Sequence, residues 1–154
     1  PIGFVDKSII SSDPNLIVED ATLYHFGILT SSVHMAWMRA VAGRLGMSYR
    51  YSKDIVYNNF IWANPTAKQK EKIEKLAQGV LDARKLYPEC TLAYLYDPNT
   101  MPPELLEAHN KLDNAVKEAY GTKGFETEEE IVASLMELYK KAIDEREEGL
   151  WWTV

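Results

Sequence analysis

The sequence predicts an α+β protein in which a mixed strand and helix segment with an antiparallel hairpin precedes a three-helix C-terminal bundle. Three observations carry this prediction. Short apolar runs separated by turn-forming residues fill roughly the first thirty positions, as strands and loops do. The apolar spacing then changes from a helical period to an alternating one near Tyr49. After Asn64, two capping boxes and a Pro-Pro pair open three stretches of amphipathic period.

The elements follow in order. Ile2 to Val5, Ile9 and Ile10, Leu16 to Val18 and Leu23 to Leu29 are apolar runs divided by Ser11, Ser12, Asp13, Pro14 and Asn15, and read as strands and loops. Thr30, Ser31 and Ser32 offer helix N-caps, and 33–45 reads as a helix with Gly46 as its C-terminal stop. Its apolar residues nearly surround the axis, so it is expected to be buried. At 100° per residue Arg44 falls in the apolar sector between Val33 and Trp37, whereas Arg39 points away. From Tyr49 the period becomes two, and Ser52-Lys53-Asp54 is short enough to turn a hairpin into the run 55–62.

The remainder reads as helices. Thr66 and Gln69 form a capping box before Ile73, Leu76, Ala77, Val80 and Leu81, and Tyr87-Pro88 ends that helix. A short apolar segment, 92–96, leads to Pro102-Pro103, which suit the first turn of a helix striped by Leu105, His109, Leu112, Val116 and Tyr120. A last helix starts at Thr127 and is expected to bury Ile131, Leu135, Leu138 and Ala142. The Trp151-Trp152 tail reads as a strap over this bundle.

Composition narrows the functional classes. With 154 residues and 46 % apolar side chains the chain can bury a core of one domain or two small units. No apolar run of about 18 residues and no signal-peptide pattern occurs, so a cytoplasmic location without membrane contact is expected. The opening PIGFVDKSII, which starts with Pro1, reads as the continuation of a longer chain. Cys90 is the one cysteine, which leaves no internal disulfide and no multi-cysteine metal site. His25, His34 and His109 have none of the usual ligand spacings, and core positions are the expectation for His34 and His109. Glycine-rich nucleotide loops and nucleophile motifs are missing from the sequence. Asn64-Pro65-Thr66-Ala67 shares its first two residues with the Asn-Pro-Pro-aromatic motif of amino-directed DNA methyltransferases, yet lacks the second proline and the aromatic. Thr66 and Gln69 account for it as a helix start. No catalytic residue is therefore assigned.

Charge is distributed unevenly. Residues 1–64 hold five basic and five acidic side chains and 65–154 hold twelve and eighteen, so the net charge of −6 lies in the second half. Between 21 and 62 the formal charges are Arg39, Arg44, Arg50 and Lys53 against Asp54 alone. Interleaved with Tyr49, Tyr51, Asn58 and Asn59, they provide forked donors, amides and positive charge of the kind that base edges and phosphates accept. Something anionic is the expected partner of this segment, and a nucleic acid offers the matching groups. Arg44 and Arg50 are the expected donors to base or phosphate, with Lys53, Arg39 and Ser32 on the backbone. Two alternatives stay open. Arg44 can form a buried ion pair with Asp54 or Asp20, and Asn58 and Asn59 either read an adenine edge or end a strand.

At these residues the sequence resembles a known family. The strings HFGIL, HMAWMRAV and GRL, then YRYS and IVYNNF, then LYD, MPPEL and a following AH and LD, are similar in identity, order and spacing to the C-terminal part of the MmeI-like restriction-modification enzymes. Those are long chains joining an endonuclease, an adenine-N6 methyltransferase and a target recognition domain. The resemblance implies that 1–64 ends the target recognition domain and that 65–154 is the family's helical C-terminal domain. It implies S-adenosylmethionine as cofactor of the parent chain, with none held by this part, and an upstream methyltransferase domain as neighbour. It also implies that positions just before the RYS motif, here Gly46, Met47 and Ser48, help choose one base of the DNA site. Gly46 has no side chain and Ser48 only a hydroxyl, so this chain is expected to read that base through other groups or to be lax there. Where the family tends to have Phe-Pro-Trp-Pro, this sequence has Ile61 and Ala63-Asn64-Pro65, which leaves the inter-domain turn open. A reading of another class is a helical scaffold that packs on the methyltransferase or a second protomer without touching DNA.

Overall fold

A computed structural model describes residues 2–6, 8–10, 15–121 and 126–147. Its elements are α1 (Leu23–Thr30), α2 (Ser32–Val41), β1 (Gly43–Leu45), β2 (Ser48–Arg50), a π-helical turn (Lys53–Tyr57), α3 (Ala67–Lys85), α4 (Leu92–Leu95), α5 (Pro103–Ala119) and α6 (Glu128–Glu147). The α+β class with an antiparallel hairpin holds. The chain divides into two compact units, each made of two segments: 1–32 with 64–123, and 33–63 with 124–154.

The first unit is helical. Its core is α1, α3 and α5, where Phe26, Ile28, Ile73, Val80, Leu105, Leu112 and Val116 are buried. Leu23 to Leu29, expected to be strand, is thus a helix. Thr22 caps it, its N–H donating to His25 Nδ1 at 3.1 Å. Gly27 lets α1 lie close to its neighbours, since a Cβ there would meet Ile73 Cγ2 at 2.8 Å and Ala77 Cβ at 3.3 Å. The capping box on α3 is present: the Thr66 N–H donates to Gln69 Oε1 at 2.9 Å. Segment 92–96 adds a short helix, capped by Thr91, whose hydroxyl accepts from the Tyr94 N–H. Arg84 joins separate segments by donating to the Ile2 carbonyl at 2.8 Å and to the Tyr96 hydroxyl, which in turn meets His109 Nε2 at 2.7 Å. His109 is therefore partnered by a side chain of the core. Burial, reinforced by the nearby Arg84 guanidinium, pulls its pKa down to about 4.

The second unit contains most of α2, the hairpin, the π-helical turn and α6. Helix α2 ends at Val41, four residues before the expected end, because the backbone from Gly43 onward is taken by the ladder. The register pairs Gly43 with Arg50, Arg44 with Tyr49 and Leu45 with Ser48. Gly46 is the first of two turn residues and has φ 59°, the left-handed value that a tight hairpin turn demands at that place. The hairpin therefore turns at Gly46-Met47, and not at Ser52-Lys53-Asp54 as the alternating period suggested. Ser52 instead caps the π-helical turn, its hydroxyl accepting from the Ile55 N–H, and the Asn58 N–H reaches the Lys53 carbonyl five residues back at 2.9 Å. On α6, Ile131 and Leu135 are buried as expected, but Leu138 is exposed. The Trp151-Trp152 tail lies outside the described residues.

Among the described residues no helix is long and apolar enough to cross a membrane.

Candidate nucleic-acid interface

The hairpin is presented by a small aromatic core. Trp37 is 2 % exposed and donates from Nε1 to the Val56 carbonyl at 3.0 Å, tying α2 to the π-helical turn. Phe60 lies edge-on to the His34 ring at 4.6 Å between centroids, and Tyr139 of α6 lies 5.9 Å from Trp37. Tyr51, the residue after β2, places its hydroxyl 3.0 Å from His34 Nε2. Both ends of the segment from hairpin to π-helical turn are thus fixed to α2.

Burial gives this core a pH dependence. It lowers the His34 pKa from 6.5 to about 4 and raises that of the Tyr51 hydroxyl to about 12, so both groups stay neutral near pH 7. An unfolded chain takes up the His34 proton near 6.5, whereas the folded chain resists until about 4. Stability is therefore expected to be constant above about pH 7 and to fall as pH drops through the window from 6.5 to 4. Urea titrations at steps across that range check it, and His34→Gln should reduce the slope, leaving the share that the similarly lowered His109 contributes.

The cationic side chains divide into two groups. Arg39 is held: Nε and Nη2 donate to the two carboxylate oxygens of Glu128 at 2.7 and 2.6 Å. This bidentate bond raises the Arg39 pKa and lowers that of Glu128. The pair lies beside a groove of about 420 Å³ lined also by Ala40, Tyr49, Glu129, Val132 and Ala133. Both partners stay partly solvated, so Glu128→Gln is expected to cost less than about 1 kcal/mol of stability in a thermal melt.

Arg44, Arg50 and Lys53 form the other group, and all three are exposed. The structure corrects the place of Arg44: it is on β1, not in the buried sector of a helix, and neither Asp54 nor Asp20 pairs with it. Its guanidinium stacks on the ring of Tyr49, its cross-strand neighbour, 3.7 Å from the centroid, and donates to the Tyr49 hydroxyl at 2.9 Å. Arg50 lies opposite Gly43 on the other face of the ribbon, the face that also carries Leu45 and Ser48. Lys53 begins the π-helical turn. Among the described residues no ion pair engages Arg44, Arg50 or Lys53, and no carboxylate occurs from Gly43 to Lys53.

Other expected contacts are placed differently. The Asn59 amide donates to the Asp54 and Ile55 carbonyls at 2.8 and 3.1 Å, and the Asn58 amide to Asp54 Oδ1 at 3.3 Å. Both donors thus stabilise the end of the π-helical turn. Ser32 begins α2, where its backbone N–H donates to Asp113 Oδ1 at 2.8 Å and its hydroxyl oxygen is buried. Gly46 and Ser48 sit at the hairpin turn and the start of β2. Two further residues belong to the same surface: Leu45, which fell within the expected buried helix, and Met47, named above only through the family resemblance, are 73 % and 96 % exposed. Assigning the turn to Gly46-Met47 would have disclosed them. Among the described residues no three His, Cys, Asp or Glu side chains converge.

Residues 1–64 match the family described as the MmeI target recognition domain, and 65–145 match the MmeI C-terminal domain. DNA methyltransferase A of Bacillus subtilis (strain 168) is 43 % identical over 141 residues, covering 92 % of this chain and 16 % of that protein. A solved structure of the Type IIL restriction-modification enzyme MmeI in complex with DNA matches with a TM-score of 0.79 and 50 % identity, over 81 % of this chain and 17 % of that one. The chain spans about a sixth of the length of these relatives. It belongs to the MmeI family of restriction-modification enzymes, in which it corresponds to the target recognition and C-terminal domains.

Proposed function

We infer that this chain is the DNA-recognition part of a cytoplasmic, S-adenosylmethionine-dependent adenine-N6 DNA methyltransferase of restriction-modification type. It binds and orients the target duplex and performs no chemistry itself. Residues 1–64 end the recognition domain and 65–154 are the helical C-terminal domain, joined to an upstream methyltransferase domain. One observation carries the reading: Arg44 and Arg50 stand exposed on a narrow ribbon and Lys53 on the turn that follows it, none of them in an ion pair among the described residues, in a chain whose other half is acidic. A two-stranded ribbon fits the major groove, where forked donors meet guanine edges and cations meet phosphates. The matched relative bound to DNA supports the same partner.

S-adenosylmethionine does not fit the residues of this chain. Among the described residues no glycine-rich loop joins a strand to a helix, and Gly43 and Gly46 sit on an exposed hairpin. No step of methyl transfer is therefore assigned here.

A salt series of duplex binding by the full-length chain tests the reading. Log affinity should fall linearly with log salt. Lys53→Ala should weaken all duplexes alike and reduce the slope by about 1. Affinity independent of salt, or no binding, would favour the scaffold reading. Of the remaining candidates, Arg39 acts on a backbone phosphate only if it leaves Glu128, and Asn58, Asn59 and Ser32 already make bonds within the fold.

A further inference from the structure

We propose that Leu45 and Met47 form an apolar reader at the hairpin tip that contacts the C5-methyl group of a thymine in the major groove. The proposal rests on the reading of the hairpin as a DNA-binding ribbon and adds the chemistry of what it reads.

Leu45 and Met47 are 73 % and 96 % exposed, at the tip of an element with no carboxylate and with arginines on both faces. Single exposed apolar side chains are ordinary, but here two lie within three residues at the turn end of a cationic ribbon. The space beside the ribbon's glycines is open, since a Cβ added at Gly43 or Gly46 would meet nothing within 4 Å. Arg44, Arg50 and Lys53 select a polyanion by charge, so the occupant of the tip is a polyanion that also offers an apolar group. A duplex does so in one place on its major-groove floor. Guanine, adenine and cytosine present donors and acceptors there, while thymine adds a methyl.

Leucine has no hydrogen-bonding group and the methionine thioether accepts only weakly, so neither can satisfy a base edge stripped of water. Against a methyl both gain contact area, and the unbranched Met47 side chain can adapt to its position. Ser48 lies opposite Leu45, and Arg50 is on the same face. One face of the ribbon thus combines a methyl contact, a hydroxyl and a forked donor.

The test uses the full-length chain. Duplexes selected from a random pool define the preferred sequence, and each thymine is then replaced singly by deoxyuridine, which removes only the methyl. One replacement should weaken binding about fourfold, the loss expected on withdrawing one methyl from an apolar contact. Met47→Ser and Leu45→Ser should bind the thymine duplex more weakly and respond less to its replacement by deoxyuridine, with the double variant indifferent. Both side chains are exposed, so the fold should be unchanged. The proposal is overturned if every deoxyuridine is tolerated, or if the response survives in the double variant, while salt-dependent binding persists. Loss of all salt-dependent binding by the unaltered protein would overturn the DNA reading with it.

Discussion

Replacing Arg50 with alanine is expected to relax base preference at one position of the bound duplex by roughly 1–3 kcal/mol, about five- to 160-fold, without unfolding the protein. Arg50 is exposed, its cross-strand neighbour is Gly43, and no side chain of the described residues holds its guanidinium, so little native packing is lost. Arg44→Ala differs in kind. It also removes the stack on Tyr49, a cation–π contact of about 0.5–1 kcal/mol at an exposed site, and frees that ring to move. Arg44→Ala should thus lose affinity partly through a less ordered ribbon, and Arg44→Lys should recover charge but not the planar stack. Affinities for the preferred duplex and its single-base variants, measured at one salt concentration, separate these effects. A variant that loses affinity equally for every sequence was contacting phosphate. If Arg50→Ala leaves both affinity and preference unchanged, the ribbon is not the reading element.

How much of this was legible in the sequence depends on whether an element announces itself locally. Helices α3, α5 and α6 did, because Thr66 with Gln69, Pro102-Pro103 and Thr127 mark their starts and one apolar stripe runs along each. Helix α1 did not, since Phe26, Gly27, Ile28 and Leu29 are consecutive buried residues and leave no period to distinguish helix from strand. Gly46 was ambiguous for a physical reason. A helix stop and the first position of a tight hairpin turn both ask for positive φ, so the same glycine supports either reading. Taking the first moved Arg44 from an exposed strand into a buried helix. The π-helical turn has no periodic signature, and its amides from Asn58 and Asn59 could be placed only with coordinates. Glu128 lies 89 residues from Arg39, and that pairing is tertiary information. The cations at the hairpin, by contrast, were visible at once, because an exposed charge needs no partner to be recognised in a sequence.

The largest effect on stability is expected from Trp37→Ala, which should cost about 3–5 kcal/mol. Trp37 is almost wholly buried, its ring lies within reach of Phe60 and Tyr139, and its Nε1 satisfies the Val56 carbonyl. Alanine would leave a cavity against those rings and deprive the π-helical turn of the bond that anchors it. Trp37→Phe keeps most of the apolar contact and loses the donor, so it should cost about 1–3 kcal/mol, set by the unpaired carbonyl. Urea denaturation followed by circular dichroism gives both values. The consequence for DNA follows from the geometry: the hairpin is fixed to α2 at Tyr51 through His34, and the turn after it is fixed at Val56 through Trp37. Loosening the second anchor while His34 still holds the first should weaken duplex binding with little change in which bases are preferred, because the reading side chains are intact but less often in place. A Trp37→Phe protein that binds DNA as tightly as the unaltered chain, despite lower stability, would mean that the His34–Tyr51 contact alone sets the ribbon.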